Sequence, residues 1–528
     1  MSDVSFIRDV RPAGELPPEE FRRLGYRVID MMTDYFRTIP TRPVLPSLTA
    51  SEMQALFSSD RLTQRGEAAE TVFDDWEGRV LPNLTTVGSP RQFVYVTGSG
   101  TMIGALAEAL AASVNTNACA WKLGPAATEI ERLTVRWLAE LLGYPADCGG
   151  IFVSGATIAN FSAILTAMRN VSGPDWTSEG LQSQAGEGRL LLYMSDHEGH
   201  CSITRVADML NLGRSAVRLV PSRADFSLDC AELRRMLDED IARGDRPFCV
   251  VAQIGSVNVG CIDPLEDLAD LCAEYGLWLH GDGACGGAGA MLPEMKEHFR
   301  GIARLDSLTF DPHKWLAVPY DAGCLLVRDA EKLRRTFSIS APYLRGTLPS
   351  EYHGLDFLEY GPEMSRGFRA LKVWMTLRHQ GIEGARSNLR CGIRQARHAH
   401  ALVTAHPDFE VLHEPLLYLY CFRYRPRDLT GKEADQYLDN LNQWIAEQIQ
   451  VSGLASVMTT KLRGRTVLRL SICSHRTTER DLENVLETMA MIGRRAHQER
   501  QQAGRKQLRN AEAAFKESGR SLAPNALP

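Results

Sequence analysis

Lys314 stands in the stretch SLTFDPHKWL, between the imidazole of His313 and the indole of Trp315. Desolvation lowers a lysine pKa and frees the amine to act as a nucleophile or Schiff-base former. Taken alone, the stretch also suits a snorkelling lysine at a strand end, which is the commoner case. Three further constellations shift that balance. LWLHGDGACGGAG (Leu277 to Gly289) puts Asp282 at the end of a short apolar run, with small residues such as Ala284 after it. Open α/β sheets bind ligands at the carboxyl ends of their strands, and small residues there let a flat ligand approach the backbone. GGIFVSGATIAN (Gly149 to Asn160) reads as strand, tight turn and helix start. Free N–H groups and the helix dipole at such a turn can hold a phosphate, and Thr157 could add a hydroxyl. SDHEGHCS (Ser195 to Ser202) places His200 at another strand end. A zinc site on His197 and His200 is disfavoured, because the spacing is not HExxH, no third ligand is near and no CxxC occurs. No metal is expected.

These residues need a frame that brings several strand ends together. Ile151–Val153, Leu190–Met194, Ala216–Val220, Phe248–Gln253, Leu277–His280, Ser307–Phe310 and Gly323–Val327 read as short apolar strands separated by helical patterns. That alternation implies an α/β fold with a mostly parallel sheet covered on both faces. Upstream, Leu24, Val28, Met31, Met32 and Tyr35 form a helical stripe that Pro40, Pro43 and Pro46 end, and apolar helices follow near 103–114 and 128–142. After a Phe368–Leu377 helix come strands near 409–413, 417–424, 454–459 and 466–472, and helices near 433–450 and 479–496. The chain thus divides into an N-terminal helical arm and linker (1–96), a large domain (97–375), a small α+β domain (376–497) and a polar, partly disordered tail (498–528).

A phosphate anchor, an acid for a ring nitrogen, a ring-stacking group and a Schiff-base lysine are together the parts of a pyridoxal 5'-phosphate (PLP) site. The chain resembles the group II PLP-dependent amino acid decarboxylases, the family of aromatic-L-amino-acid, histidine and glutamate decarboxylases. The resemblance runs from about Phe21 to about Arg494 and is carried by FRRLGYRVIDMMTDYF, GPAATEIERLTVRWLAELLG, DPHKW and MSRGFRALKVW. It implies a fold-type I PLP-dependent transferase fold with a seven-stranded sheet, and a homodimer with sites at the interface. Carried over, Lys314 would hold the cofactor covalently and Asp282 would pair with the pyridine nitrogen. Ala284 would pack on the ring and His200 would stack on its other face. Gly155, Ala156 and Thr157 would hold the phosphate, with His313 nearby. Asp311 stands where the aromatic enzymes usually carry Asn, which adds a charge. Tyr343, in SAPYLRG, would reprotonate the substrate carbon. The stretch that follows, Arg345 to Tyr360, reads as a long loop of the kind that serves as a lid. Members with Phe at that place resemble aldehyde synthases, so Tyr343 implies release of a simple amine.

Substrate choice is less sharply written. The positions matching the aromatic side-chain pocket are Val87, Val96, Asn117 and Cys119, with Tyr95 retained and Gly98 where a hydroxyl residue is usual. Fewer rings remove apolar contact, and Asn117 adds a polar group that needs a partner. A small aliphatic, sulfur-containing or polar L-amino acid therefore stands beside an aromatic one.

With 528 residues, 44% hydrophobic and 23% charged, the chain has the composition of a soluble globular protein. A net charge of −6 gives no reason to expect nucleic acid or an anionic membrane as partner. No apolar run reaches membrane-spanning length, the N-terminus lacks a signal-peptide core, and the 12 scattered cysteines suit a reducing cytoplasm. Two other classes compete. A dinucleotide enzyme rests on GSGTMIG (Gly98 to Gly104), whose GxGxxxG spacing lacks a preceding strand and a following ribose-binding acid. A catalytically silent binding protein would not need Lys314, Asp282, His200 and Tyr343 together.

Overall fold

This computed structural model describes residues 15–171, 180, 186–339, 353–429 and 434–517. The chain separates after Thr86 into two units. The N-terminal unit holds α1 (Pro18–Thr38), α2 (Ala50–Ser58) and α3 (Ala69–Asp75). Pro18 starts α1 at a position where a missing N–H costs nothing. Thr49 and Glu52 cap α2 reciprocally. Arg23 pairs with Glu70, and Arg27 with Asp74 and Glu77, so ion pairs bind α1 to α3.

The second unit opens with α4 (Met102–Val114) and α5 (Pro125–Leu142), then alternates strands with helices. The strands are β1 (Gly149–Val153), β2 (Leu190–Ser195), β3 (Val217–Val220), β4 (Arg246–Gln253), β5 (Trp278–Asp282), β6 (Ser307–Phe310) and β7 (Gly323–Val327). Between them run α6 (Ala156–Val171), α7 (Cys201–Met209), α8 (Cys230–Ala242) and α9 (Leu265–Tyr275), and α10 (Ala330–Phe337) follows β7. They form one seven-stranded sheet in the order β1-β7-β6-β5-β4-β2-β3. Only β7 runs antiparallel to its neighbours. The β6–β7 connection holds no helix, and a parallel return would need a crossover. The other strands are parallel and buried nearly throughout, as a sheet with helices on both faces requires. The fold is the fold-type I α/β architecture.

Register brings the site together. Gln253 at the end of β4 pairs with Asp282 at the end of β5, and Asp282 pairs with Thr309 of β6. The chain leaves β6 directly into Asp311 and Lys314.

Beyond the sheet, α11 runs from Arg369 to Ala405, far past the expected Leu377, and breaks only at Gly381, where φ is 65°. A second, antiparallel sheet has the order β10-β11-β9-β8, with β8 (Phe409–Val411), β9 (Leu419–Tyr424), β10 (Met458–Leu462) and β11 (Arg465–Ser471). The third of its expected strands lies a few residues late. Arg463 (φ 49°) and Gly464 (φ 80°) make a two-residue hairpin turn, and that turn sets the register of β10 against β11. α12 (Asp435–Val451) and α13 (Glu479–Glu517) pack on this sheet through Leu441, Ile445, Ile449, Leu482, Val485 and Met489. Among the described residues, no helix is long and apolar enough to cross a membrane.

Candidate active site

Lys314, Asp282, His200, Ala284 and Ala156 line one narrow cavity, together with Gln253, Gly255, Val257 and Cys285. Four elements deliver them: the β5 end, the turn after β6, the start of α6 and the N-terminus of α7. Lys314 Nζ lies 3.0 Å from Asp311 Oδ2. Burial pushes its pKa down, as the sequence suggested, but the nearby carboxylate groups, Asp311 foremost, outweigh that effect and leave it above the ordinary lysine value. The expectation of an amine freed by desolvation is thus corrected: before it reacts, Lys314 is an ammonium held by carboxylates. The extra charge of Asp311 meets a counter-charge. Its Oδ2 also accepts from Ala156 N–H at 3.3 Å and lies 3.5 Å from His313 Nε2.

Asp282 Oδ2 accepts from Asn160 Nδ2 at 3.1 Å, and its Oδ1 from Ala284 N–H at 3.2 Å. His200 caps α7, with Nδ1 2.8 Å from Ser202 Oγ, and burial lowers its pKa. His313 accepts from Ala322 N–H at Nδ1 (3.0 Å) and packs on Tyr320 at 4.4 Å between ring centroids. Gly155 precedes α6; a Cβ built on Gly323 would lie 2.5 Å from its Cα, so glycine at position 323 lets β7 approach the turn. Thr157 sits on the first turn of α6.

Does this cavity suit pyridoxal phosphate? Gln253 Nε2, in the cavity wall, is buried without a hydrogen-bond partner among the described residues, and so is Asp311 Oδ1 on the carboxylate that holds Lys314. Unpaired polar atoms in a cavity wall are costly unless a ligand meets them. A lysine, an anionic acid, an imidazole and a floor of Ala and Gly offer the donor set that a phosphorylated pyridine aldehyde needs. The residues fit the group.

Residues 51–425 match the family described as "Pyridoxal-dependent decarboxylase conserved domain". The chain belongs to this family. It is 30% identical to an aromatic-L-amino-acid decarboxylase of Bacillus atrophaeus, over 89% of this chain and 95% of that one. It is 31% identical to a histidine decarboxylase of Drosophila melanogaster, over 88% of this chain and 54% of that one. Among solved structures, the Oryza sativa enzyme TDC, solved with PLP and tryptamine, superposes with a TM-score of 0.85 at 26% identity, covering 92% of this chain and 99% of that one. The protein is a PLP-dependent amino acid decarboxylase, and its cofactor is pyridoxal 5'-phosphate.

For a decarboxylase of this family, the six expected side-chain pocket residues lie unexpectedly. None of them lines the Lys314 cavity. Tyr95 is 68% exposed with φ 53°, Val96 is buried in the large core, and Val87 is half-buried. A Cβ on Gly98 would lie 2.1 Å from the His313 carbonyl oxygen, so glycine here lets the segment before α4 approach the lysine turn closely. Asn117 finds its partners in the backbone: Oδ1 accepts from Arg366 N–H at 3.0 Å and Cys119 N–H at 3.2 Å. Tyr343 lies outside the described residues.

Several residues near the site escaped the sequence reading. Asn160 and His280 sit inside the motifs but read as helix and strand positions. Arg469 interrupts the apolar run VLRLSI, and its Nε donates to the carbonyl of cavity-lining Val257 at 2.9 Å. Arg366 and Glu131 form a fully buried pair at 2.5 Å, and the Arg366 guanidinium also donates to the Phe152 and Ala118 carbonyls. A charged residue within an otherwise apolar pattern was the available signal for Arg469; Arg366, between Ser365 and Gly367, carried none.

Proposed function

We propose that this enzyme converts an L-amino acid to the corresponding amine and carbon dioxide. The convergence of Lys314, Asp282, His200 and Ala284 on one buried cavity carries this reading. Lys314 would hold the cofactor covalently. Asp282, fixed by two N–H donors, would accept a hydrogen bond from the protonated ring nitrogen and keep it protonated. His200 and Ala284 would border the two ring faces. Gly155, Ala156 and Thr157, at the start of α6, would hold the phosphate with His313 beside them. When bound, the cofactor supplies a sink for the electron pair that the carboxylate leaves behind. Tyr343, a reading that rests on sequence alone, would deliver the proton that completes the amine.

The stretch 87–119 favours a substrate side chain smaller or more polar than an indole. Val87, Val96, Asn117 and Cys119 supply no ring there. A panel of L-amino acids, with carbon dioxide, amine and aldehyde all measured, tests the proposal. Turnover confined to tryptophan and tyrosine would overturn the side-chain reading, and no carbon dioxide from any member would overturn the activity. Replacing Tyr343 by Phe is expected to lower amine output and raise aldehyde, ammonia and peroxide; an unchanged product profile removes Tyr343 from this role.

The enzyme would also act as a homodimer. Met102, Leu106, Leu110 and Val114, spaced every four residues on α4, are 57%, 40%, 53% and 63% exposed. A contiguous apolar stripe is what a self-complementary interface buries. It lies between Tyr95 and Asn117, so a second copy there would border the candidate side-chain positions.

A further inference from the structure

We propose that Asn160 is a positioning residue whose single carboxamide sets both Asp282 and His200. This deepens the function proposed above and rests on the roles given there to those two residues. Asn160 is completely buried on α6. Its Oδ1 accepts from Thr309 Oγ1 at 2.6 Å and lies 3.0 Å from His280 Nε2. An amide oxygen only accepts, so His280 carries its proton on Nε2. Nδ1 of His280 then accepts from the Ser307 hydroxyl at 2.8 Å, and Ser307 Oγ in turn accepts from Trp278 Nε1 at 2.8 Å. Two donors at Oδ1 leave the amide one orientation, with Nδ2 toward the site.

From Nδ2, one N–H goes to Asp282 Oδ2 at 3.1 Å and the other to Ser202 Oγ at 3.2 Å. Ser202 Oγ, accepting from Asn160, donates to His200 Nδ1 at 2.8 Å. That drives His200 to the tautomer with its proton on Nε2. The directions of all these bonds agree from Trp278 to His200, and the Ser202 N–H, which also donates to His200 Nδ1 at 3.2 Å, fixes the last of them. Burial keeps both histidines neutral: it lowers His200 and pushes His280 down to about 4. The charges that His200 feels are those of Asp282, Lys314, Asp311 and Arg205. Trp278 and His280 on β5, with Ser307 and Thr309 on β6, anchor the relay to the middle of the sheet.

The test uses full-length protein in apo and PLP-loaded forms. Its readouts are the dissociation constant of PLP from apoenzyme titration, the pH midpoint of the visible absorption of the loaded protein, and thermal stability. Asn160→Asp replaces a donor to Asp282 by an acceptor. It is expected to raise the PLP dissociation constant by about tenfold or more and to move the absorption midpoint by more than about half a pH unit. His280→Leu, which frees the Asn160 amide to turn, should do the same, and His280→Gln, whose amide can donate to Asn160 Oδ1, should recover most of the loss. If these variants lose thermal stability while affinity and midpoint stay in place, Asn160 is only structural and the proposal falls. Should Asn160→Asp fail to fold, the contrast between His280→Gln and His280→Leu decides, and equal midpoints in those two overturn the coupling. Asp282→Asn is the control. If it changes neither affinity nor midpoint, the role given to Asp282 fails; if it changes both while Asn160→Asp and His280→Leu change neither, only the coupling fails.

Discussion

Around Lys314, the polar side chains are held by neighbours on the helices and turns that flank the central sheet: Asp311 by the lysine itself, Asp282 by Asn160 and the Ala284 backbone, His200 by Ser202. Along residues 95–119 the arrangement is reversed. Large side chains face outward, with Tyr95, Met102, Leu106, Leu110 and Val114 exposed, and the polar Asn117 is taken up by the backbone N–H groups of Cys119 and Arg366. Among the described residues, these polar side chains of the first region find partners within the chain, while the second leaves an apolar helix face exposed. A cofactor site common to many substrates can sit wholly on strand ends. A specificity site built on a helix with a bare apolar face needs something further to close it.

The largest effect should come from Lys314→Ala. Loss of the amine that attaches the cofactor should lower turnover by at least about 1,000-fold and remove the parent's visible absorption, while the protein stays folded. A Lys314→Ala protein that kept the parent spectrum would break the comparison at its stronger side.

Arg366→Met comes next, and it separates the two regions. Arg366 ties the Ala118 carbonyl to Glu131 and β1 inside the core. Removing one partner of a buried pair leaves the other charge uncompensated, at a cost of about 3–5 kcal/mol. Denaturant midpoints measure that loss. Because Arg366 braces the 117–119 loop and touches no cavity-lining side chain, KM for the amino acid should rise while the PLP dissociation constant moves little. The double variant Arg366→Met with Glu131→Leu should regain part of the stability, and equal stability of single and double variants would show that the buried carboxylate is not the cause.

Leu110→Glu probes the bare face of α4. Burying a leucine against a partner is worth roughly 1.5–3 kcal/mol, so the substitution should weaken self-association about tenfold or more. Sedimentation over a concentration series reads this directly. A monomeric parent protein, or a variant that associates as tightly as the parent, would mean that the stripe is covered by something other than a second copy.

The two regions also differed in how far the sequence exposed them. Asp282, His200 and Lys314 were legible because each ends an apolar run, and a strand end in a parallel sheet has a known destination. All seven strands of the large sheet lay near their expected places for the same reason. Residues 87–119 carry no such periodic marker: Gly98 reads as a turn or a pocket residue until the His313 carbonyl is seen 2.1 Å from its missing Cβ. The long α11 was cut short because Gly381 interrupts its pattern, although the helix resumes after one non-helical residue. Asn160 and His280 were hidden for another reason. A polar residue facing a strand-end cavity and one facing solvent look alike in sequence, and only the register of β4, β5 and β6 shows which it is.

The smallest effect is also the one that tests the better-defined region most finely. His280, His413 and His475 are each pushed down to about 4 by burial, against about 6.5 when unfolded. Between those values the unfolded chain binds more protons than the folded one. Stability is therefore complete above about pH 6.5 and falls as pH drops toward 4, by up to about 1.4 kcal/mol per pH unit for each histidine. Asp263, pushed up to about 6 by burial, acts in the opposite sense and offsets roughly one of them between its unfolded value and 6. The sum is thus hard to apportion, but a difference is not. His280→Gln removes one proton site without removing the hydrogen bond to Asn160, so its stability should fall less steeply than the parent's over that window, by about 1.4 kcal/mol per pH unit. Parallel urea-unfolding series from pH 4 to 7 measure the two slopes. Equal slopes would mean that His280 is not held neutral beneath Asp282; the bond directions from Trp278 to His200 would then have to be redrawn, and the cofactor side of the molecule would lose the internal closure that sets it apart from residues 95–119.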